Sequence, residues 1–218
     1  MRRQSMKYIS AAALATAVAA VGLSATPALA DTTTTSATAA PAADPTITAT
    51  YPVSGSTYLK RLNTTMDLGP GSLVSTLDLT TSAVTGSLTL PPSTGSFKEF
   101  GFIPVSVTTE LVADGPTTGT ASLADNTVST TSQAFLKIDS LSVAGVSIPV
   151  GSNCETAQPI TLSVSSAAGF SLLGGGNVTG TYTIGRFSHC GLATFLLNLT
   201  IPGSGNTITL TLGAPTLS

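Results

Sequence analysis

The chain has 218 residues, 8% of them charged and 42% hydrophobic, with 8 basic and 10 acidic side chains, one histidine and no tryptophan. Beyond the first seven residues its only basic pair is Lys60-Arg61. Nucleic acid and anionic membrane surfaces are both recognised by clustered Lys and Arg, and this sequence has no such cluster.

Residues 1–30 read as a cleavable secretory signal peptide. Arg2, Arg3 and Lys7 precede any acidic residue, an apolar stretch runs from Ile9 to about Leu23, and Pro27 stands just ahead of Ala28-Leu29-Ala30, whose small first and third side chains suit a signal peptidase. The apolar run is too short and Ala-rich for a spanning helix, so cleavage after Ala30 leaves no transmembrane anchor. Arg2-Arg3 raises the twin-arginine route, but no apolar-Lys pattern follows, which favours general secretion. Cleavage removes 3 of the 8 basic residues and none of the 10 acidic ones, leaving 5 against 10 and a net charge of −5.

Residues 31–44, rich in Thr, Ala and Pro, have little to bury and read as a disordered tether. Residues 45–218 read as one β-rich domain, in which Thr and Ser alternate with Val, Leu and Ile. Strands are expected at 46–51, 73–79, 84–90, 103–111, 119–123, 128–138, 141–150, 160–164, 178–184 and 207–212. Gly69-Pro70-Gly71, Pro91-Pro92, Asp114-Gly115-Pro116, Asp125-Asn126, Gly174-Gly175-Gly176 and Pro202-Gly203 supply the breaks. About ten strands so spaced predict an antiparallel β-sandwich or a partly open barrel. A membrane barrel is disfavoured by short strands without aromatic girdles.

One segment leaves period two. Leu192, Phe195, Leu196 and Leu199 fall at helical spacing and Pro202 supplies a stop, which predicts a short helix within 191–201 whose apolar stripe lies across the sheet. Another strand through Leu197, Leu199 and Ile201 is the alternative. Cys154 and Cys190 are the only cysteines, and in an exported chain such a pair reads as one disulfide, closing a loop of about 36 residues worth roughly 3 to 4 kcal/mol. Tetrahedral zinc needs more ligands than His189 beside Cys190 supplies, so no metal site is expected.

Catalytic constellations find little support. His189 sits in Phe187-Ser188-His189-Cys190-Gly191 with no Gly-x-Ser-x-Gly elbow anywhere to partner it. Paired carboxylates would have to come from Glu99, Glu110 and Glu155, because the other acids fall in the tether, in turns or at strand ends. The Gly174-Gly175-Gly176 run lacks the Lys and helix of a phosphate loop. The densest aromatic patch, Phe97, Phe100 and Phe102, reads first as core packing and second as the mouth of an apolar ligand site.

Several segments look familiar together: Leu88-Thr89-Leu90-Pro91-Pro92, Phe100-Gly101-Phe102-Ile103-Pro104-Val105, Val150-Gly151-Ser152-Asn153-Cys154-Glu155-Thr156, Gly180-Thr181-Tyr182-Thr183-Ile184, Cys190-Gly191 and Pro202-Gly203-Ser204-Gly205-Asn206-Thr207. From about Tyr51 onward the chain resembles uncharacterised secreted β-rich proteins of actinobacteria. The resemblance implies an exported β-rich domain with one Cys pair and no established activity. The expectation is therefore a secreted, non-catalytic protein, extracellular or associated with the cell envelope, without a cofactor. Its partner would be an envelope component, a polysaccharide or a lipid. A carrier of an apolar ligand held between sheets is the alternative, and a hydrolase a more distant one.

Overall fold

The computed structural model describes residues 45–99 and 101–218; the expected signal peptide and tether, and Phe100, lie outside the described residues. The alternation of Thr and Ser with aliphatic residues builds strands whose two faces differ in polarity. In chain order the elements are β1 (Thr46–Leu59), β2 (Thr64–Asp78), β3 (Ala83–Thr89), β4 (Ser93–Glu99), β5 (Ile103–Ala113), β6 (Thr117–Ser122), β7 (Thr127–Val143), β8 (Val146–Ile148), β9 (Glu155–Thr156), β10 (Ile160–Ser166), β11 (Gly176–Ile184), β12 (Phe187–Ser188), α1 (Ala193–Thr200), β13 (Gly203–Leu212) and β14 (Thr216–Leu217).

Eight strands pair in the order β10-β11-β13-β1-β2-β3-β6-β7, and β7 returns to β10 from Ile160↔Ala134 to Ser165↔Ser129. The sheet therefore closes on itself as an antiparallel barrel. This corrects the expected sandwich or partly open barrel of about ten strands: among the described residues there are fourteen strands, six of them outside the closed barrel.

Register fixes the barrel's girth. Stepping between paired residues from Thr48 through Thr76, Thr85, Thr118, Thr131, Ser163, Thr181 and Thr207 leads back to β1 at Tyr58, ten residues beyond the start. Such a stagger tilts eight strands by about 40° and sets a backbone radius of about 8 Å, wide enough for facing side chains to meet or leave a small space. The residues on this path face outward, and β3, β6, β10, β11 and β13 contain no charged side chain at all. The exterior is thus a wall of Thr and Ser, and the apolar residues point in. A membrane barrel has the opposite arrangement.

Gly69-Pro70-Gly71 is a bulge inside β2 instead of the expected break. Val53 pairs with Gly71 and Gly55 with Leu68, so β2 carries one residue more than β1 across this step. The extra residue shifts the inward parity from Leu73, Ser75 and Leu77 to Met66 and Leu68. Only glycine fits at position 69: φ is 89° and a Cβ would sit 2.8 Å from the Val53 carbonyl. Asp139 likewise bulges within β7, between the pairs Thr108↔Ser140 and Thr109↔Ile138, where the sequence suggested a strand end.

Strand β7 serves two layers. Its first half is a stave between β6 and β10, and its second half runs on to pair with β5, β8 and β9. Strand β4 extends β5 and lies over the start of β2, where Thr64 Oγ1 donates to the Ser96 carbonyl at 3.3 Å. This outer layer and α1 close one end of the barrel around Ile138, Leu141, Ile184, Phe187 and Leu197, all at most 2% exposed.

The helix forms where expected, but with a different face inward. Ala193, Leu197 and Thr200 are buried, whereas Leu192, Phe195 and Leu199, from the stripe expected to cross the sheet, are 97%, 78% and 48% exposed. Asn198 sets the rotation. Its amide accepts from the Phe187 N–H at 2.7 Å and donates to the Phe187 carbonyl at 2.9 Å, which turns the small Ala193 face toward the core. Arg61 caps the helix, donating to the Leu199 carbonyl at 2.6 Å and the Pro202 carbonyl at 2.9 Å. The disulfide Cys154–Cys190 is present, with both residues fully buried just ahead of the helix.

Candidate functional site

The inward face of the barrel is lined by side chains of all eight staves, and they do not fill it. A cavity of about 130 Å³ remains. It is bounded on one side by Leu162, Val164, Val178, Ile208, Leu210 and Leu212, and on the other by a row of small residues, Ala49, Ser75, Gly86 and Thr117, with Ser132 next on β7. Ala49↔Ser75, Ser75↔Gly86 and Gly86↔Thr117 are registered pairs, so the row runs from strand to strand along the hydrogen-bonding direction and climbs the lumen wall with the stagger. The space exists because that row carries small side chains on five neighbouring strands.

The lumen has a closed floor and an open mouth. At the floor, Thr57 Oγ1 donates to the Thr207 carbonyl at 2.9 Å, which leaves the Tyr182 hydroxyl to donate to Thr57 at 2.6 Å. Asn206, 1% exposed, donates to the Gly203 carbonyl at 3.0 Å and accepts from the Lys60 N–H at 3.1 Å. Burial raises the Tyr182 hydroxyl above its ordinary pKa of 10.0. Every buried side-chain polar atom among the described residues has a partner.

At the mouth the aliphatic lining continues into water. Ile47, Leu123, Leu173 and Leu217 all line the lumen and are 38%, 54%, 69% and 51% exposed. The β10–β11 connection folds over this end, with Phe170 buried beneath it. The Tyr51 hydroxyl, its pKa raised by burial, donates to the Leu172 carbonyl at 2.7 Å and ties the connection to the wall. The Gly174-Gly175-Gly176 run serves this crossing: Gly175 has φ of 80°, and a Cβ there would run into the Leu212 carbonyl.

No lining residue carries a charge. The titratable groups considered for catalysis lie elsewhere. His189 is exposed and its ring Nδ1 contacts its neighbour Ser188 Oγ at 3.1 Å. Glu110 and Asp139 both pair with Lys137 on the outer layer, at 3.2 and 3.0 Å. Among the described residues no three of His, Cys, Asp or Glu are grouped so as to hold a metal ion.

Phe97 and Phe102 of the aromatic patch do not line the lumen. Phe97 is half-buried in a cleft of about 70 Å³ between α1 and the outer layer, beside Ile103, Val105, Leu141 and Leu196. Phe102 is 73% exposed on the β4–β5 turn, and Phe100 is outside the described residues. The lumen residues went unnoticed in the sequence, although one signal was there: Ser75 interrupts the inward positions Leu73 and Leu77, as Thr130 and Ser132 do after Val128.

Fold and site together define a closed eight-stranded barrel enclosing a small apolar cavity with one open end. Neither the family models, nor the curated proteins, nor the solved structures contain a match to this chain.

Proposed function

We propose that the chain is an exported, non-catalytic binding protein that carries a small apolar molecule in the barrel lumen. The observation that supports this reading is a cavity of about 130 Å³ with an uncharged lining that opens through a rim of four exposed aliphatic side chains. A fully packed core has no such space, and an exposed apolar rim costs solvation that a ligand recovers. Size restricts the cargo. Drug-sized ligands occupy pockets of roughly 300 to 1,000 Å³, whereas an apolar cavity of about 150 Å³ accepts benzene, so the cargo is one small molecule or one short segment of a longer chain. Export is supported by the leader features and by the Cys154–Cys190 bridge, since disulfides persist in oxidising compartments.

The test is native mass spectrometry of protein purified from its own host, alongside the lumen-filling variant Thr130→Leu. Wild type is expected to carry extra mass of a small apolar compound, and the variant to lose at least nine-tenths of it. Bare wild-type chain, both as isolated and after incubation with a panel of neutral apolar compounds, would overturn the reading.

A further inference from the structure

The lumen wall carries polar groups that the fold itself does not use. Ser75, Thr117, Thr130 and Ser132 line the cavity, and among the described residues none of their hydroxyls has a side-chain or backbone partner within hydrogen-bonding distance. They are not buried orphans, because no such atom exists among the described residues; each is open to the cavity. Thr48, Thr94, Thr131 and Ser165 on outward faces, by contrast, pair with hydroxyls across their strands. Three of the four also stand close together. Thr117 stands opposite Ser132, one step on from the Thr118↔Thr131 pair, and Thr130 is the next inward residue of β7, whereas Ser75 lies two strands from Thr117 across Gly86.

We infer that the hydroxyls of Thr117, Thr130 and Ser132 recognise a single neutral polar group, an alcohol or a carbonyl, on the apolar cargo. This rests on the carrier reading and names its ligand class. A hydroxyl can both donate and accept, so this cluster suits an alcohol or a ketone equally. A pure hydrocarbon would leave the hydroxyls without partners once water is displaced. A carboxylate or an amine would be carried into a lining with no opposite charge to pair with it. The cargo is therefore neutral, small and monofunctional.

The test is a titration at pH 8 with hexan-1-ol, hexane and hexanoate, followed through the methyl signals of the lumen Leu and Val residues. Hexan-1-ol is expected to bind about 3- to 10-fold more tightly than hexane, the worth of one neutral hydrogen bond, and hexanoate more weakly than either. In the variant Thr117→Val/Thr130→Val/Ser132→Ala, hexan-1-ol should fall to the level of hexane while hexane stays within about twofold of its wild-type affinity. Equal binding of hexan-1-ol and hexane by wild type would overturn the inference and leave the carrier reading standing. So would hexanoate matching hexan-1-ol, or an undiminished preference in the folded variant. The wild-type comparison stands by itself if the variant fails to fold. Failure of all three compounds to bind would instead count against the carrier reading itself.

Discussion

At the scale of single residues, the buried hydroxyls of the lumen couple its structure to pH. Tyr182 is held in the protonated form because burial disfavours its phenolate, so its pKa in the folded chain lies above the ordinary 10.0. Below about pH 10 both folded and unfolded chains keep this proton and the group adds no pH dependence. As pH rises through 10 the unfolded chain ionises first and binds fewer protons, so stability falls until the folded pKa is passed, by at most about 1.4 kcal/mol per pH unit for each such group. Tyr51, raised for the same reason, acts in the same direction. Tyr182→Phe is therefore expected to flatten the fall of the urea midpoint between pH 10 and 11.5. Near pH 7 the same change should cost only about 0.5 to 1.5 kcal/mol, because Thr57 keeps its bond to the Thr207 carbonyl. An unchanged alkaline slope in the variant would show that Tyr182 is not the titrating group.

At the scale of elements, period two was legible and its interruptions were ambiguous. The runs at Val84–Leu90, Ile103–Leu111 and Ile160–Val164 are strands as read, because Thr or Ser between aliphatic residues has little alternative to a two-faced sheet. Gly69-Pro70-Gly71 misled because positive φ and a missing N–H suit a turn and a bulge equally, and only the partner strand decides which forms. Strand β4, Ser-Thr-Gly-Ser-Phe-Lys-Glu, has almost no aliphatic alternation to show; it is a strand because β5 pairs with it and Gly95 lets it settle against Met66. The helix was legible in its spacing but not in its facing, which depends on the distant contact of Asn198 with Phe187. The cysteine pair was the most transparent feature, and its weight is calculable. Closing 36 residues removes loop entropy worth about 3 to 4 kcal/mol from the unfolded chain. Cys154→Ser/Cys190→Ser should lower the unfolding free energy by that amount in urea, and wild type kept in reductant should match the variant. A loss below about 1 kcal/mol would mean that the packing of β9, β12 and α1 holds this end of the barrel without the bridge.

At the scale of the whole molecule, closure and the cavity are both products of pairings that no local pattern encodes. The wall is completed by β1 against β13, where Thr57 meets Thr207 across 150 positions of sequence, and by β7 against β10. The lumen row of Ala49, Ser75, Gly86, Thr117 and Ser132 draws one small residue from each of five strands, and only Ser75 and Ser132 stand out in the sequence, as polar breaks in an aliphatic face. The two segments at the C-terminal end differ sharply in what they contribute to closure. Strand β14 lies beside β1 through only Ala49↔Leu217 and Thr50↔Thr216, at the exposed rim. Strand β13 supplies Ile208, Leu210 and Leu212 to the lumen and pairs with both β1 and β11. Removing residues 216–218 should therefore cost about 1 kcal/mol, a shift of roughly 2 to 4 °C in Tm for a domain of this size, with cooperative unfolding retained. Removing residues 203–218 deletes a stave and leaves two long unpaired strand edges beside an opened apolar interior, a template for aggregation. That chain is expected to lose near-ultraviolet tyrosine dichroism, bind an apolar dye and show no cooperative melt. A cooperative transition in the longer truncation would mean that β1 and β11 can close against each other, and that the barrel's eight-stave register is less strictly determined than its pairing implies.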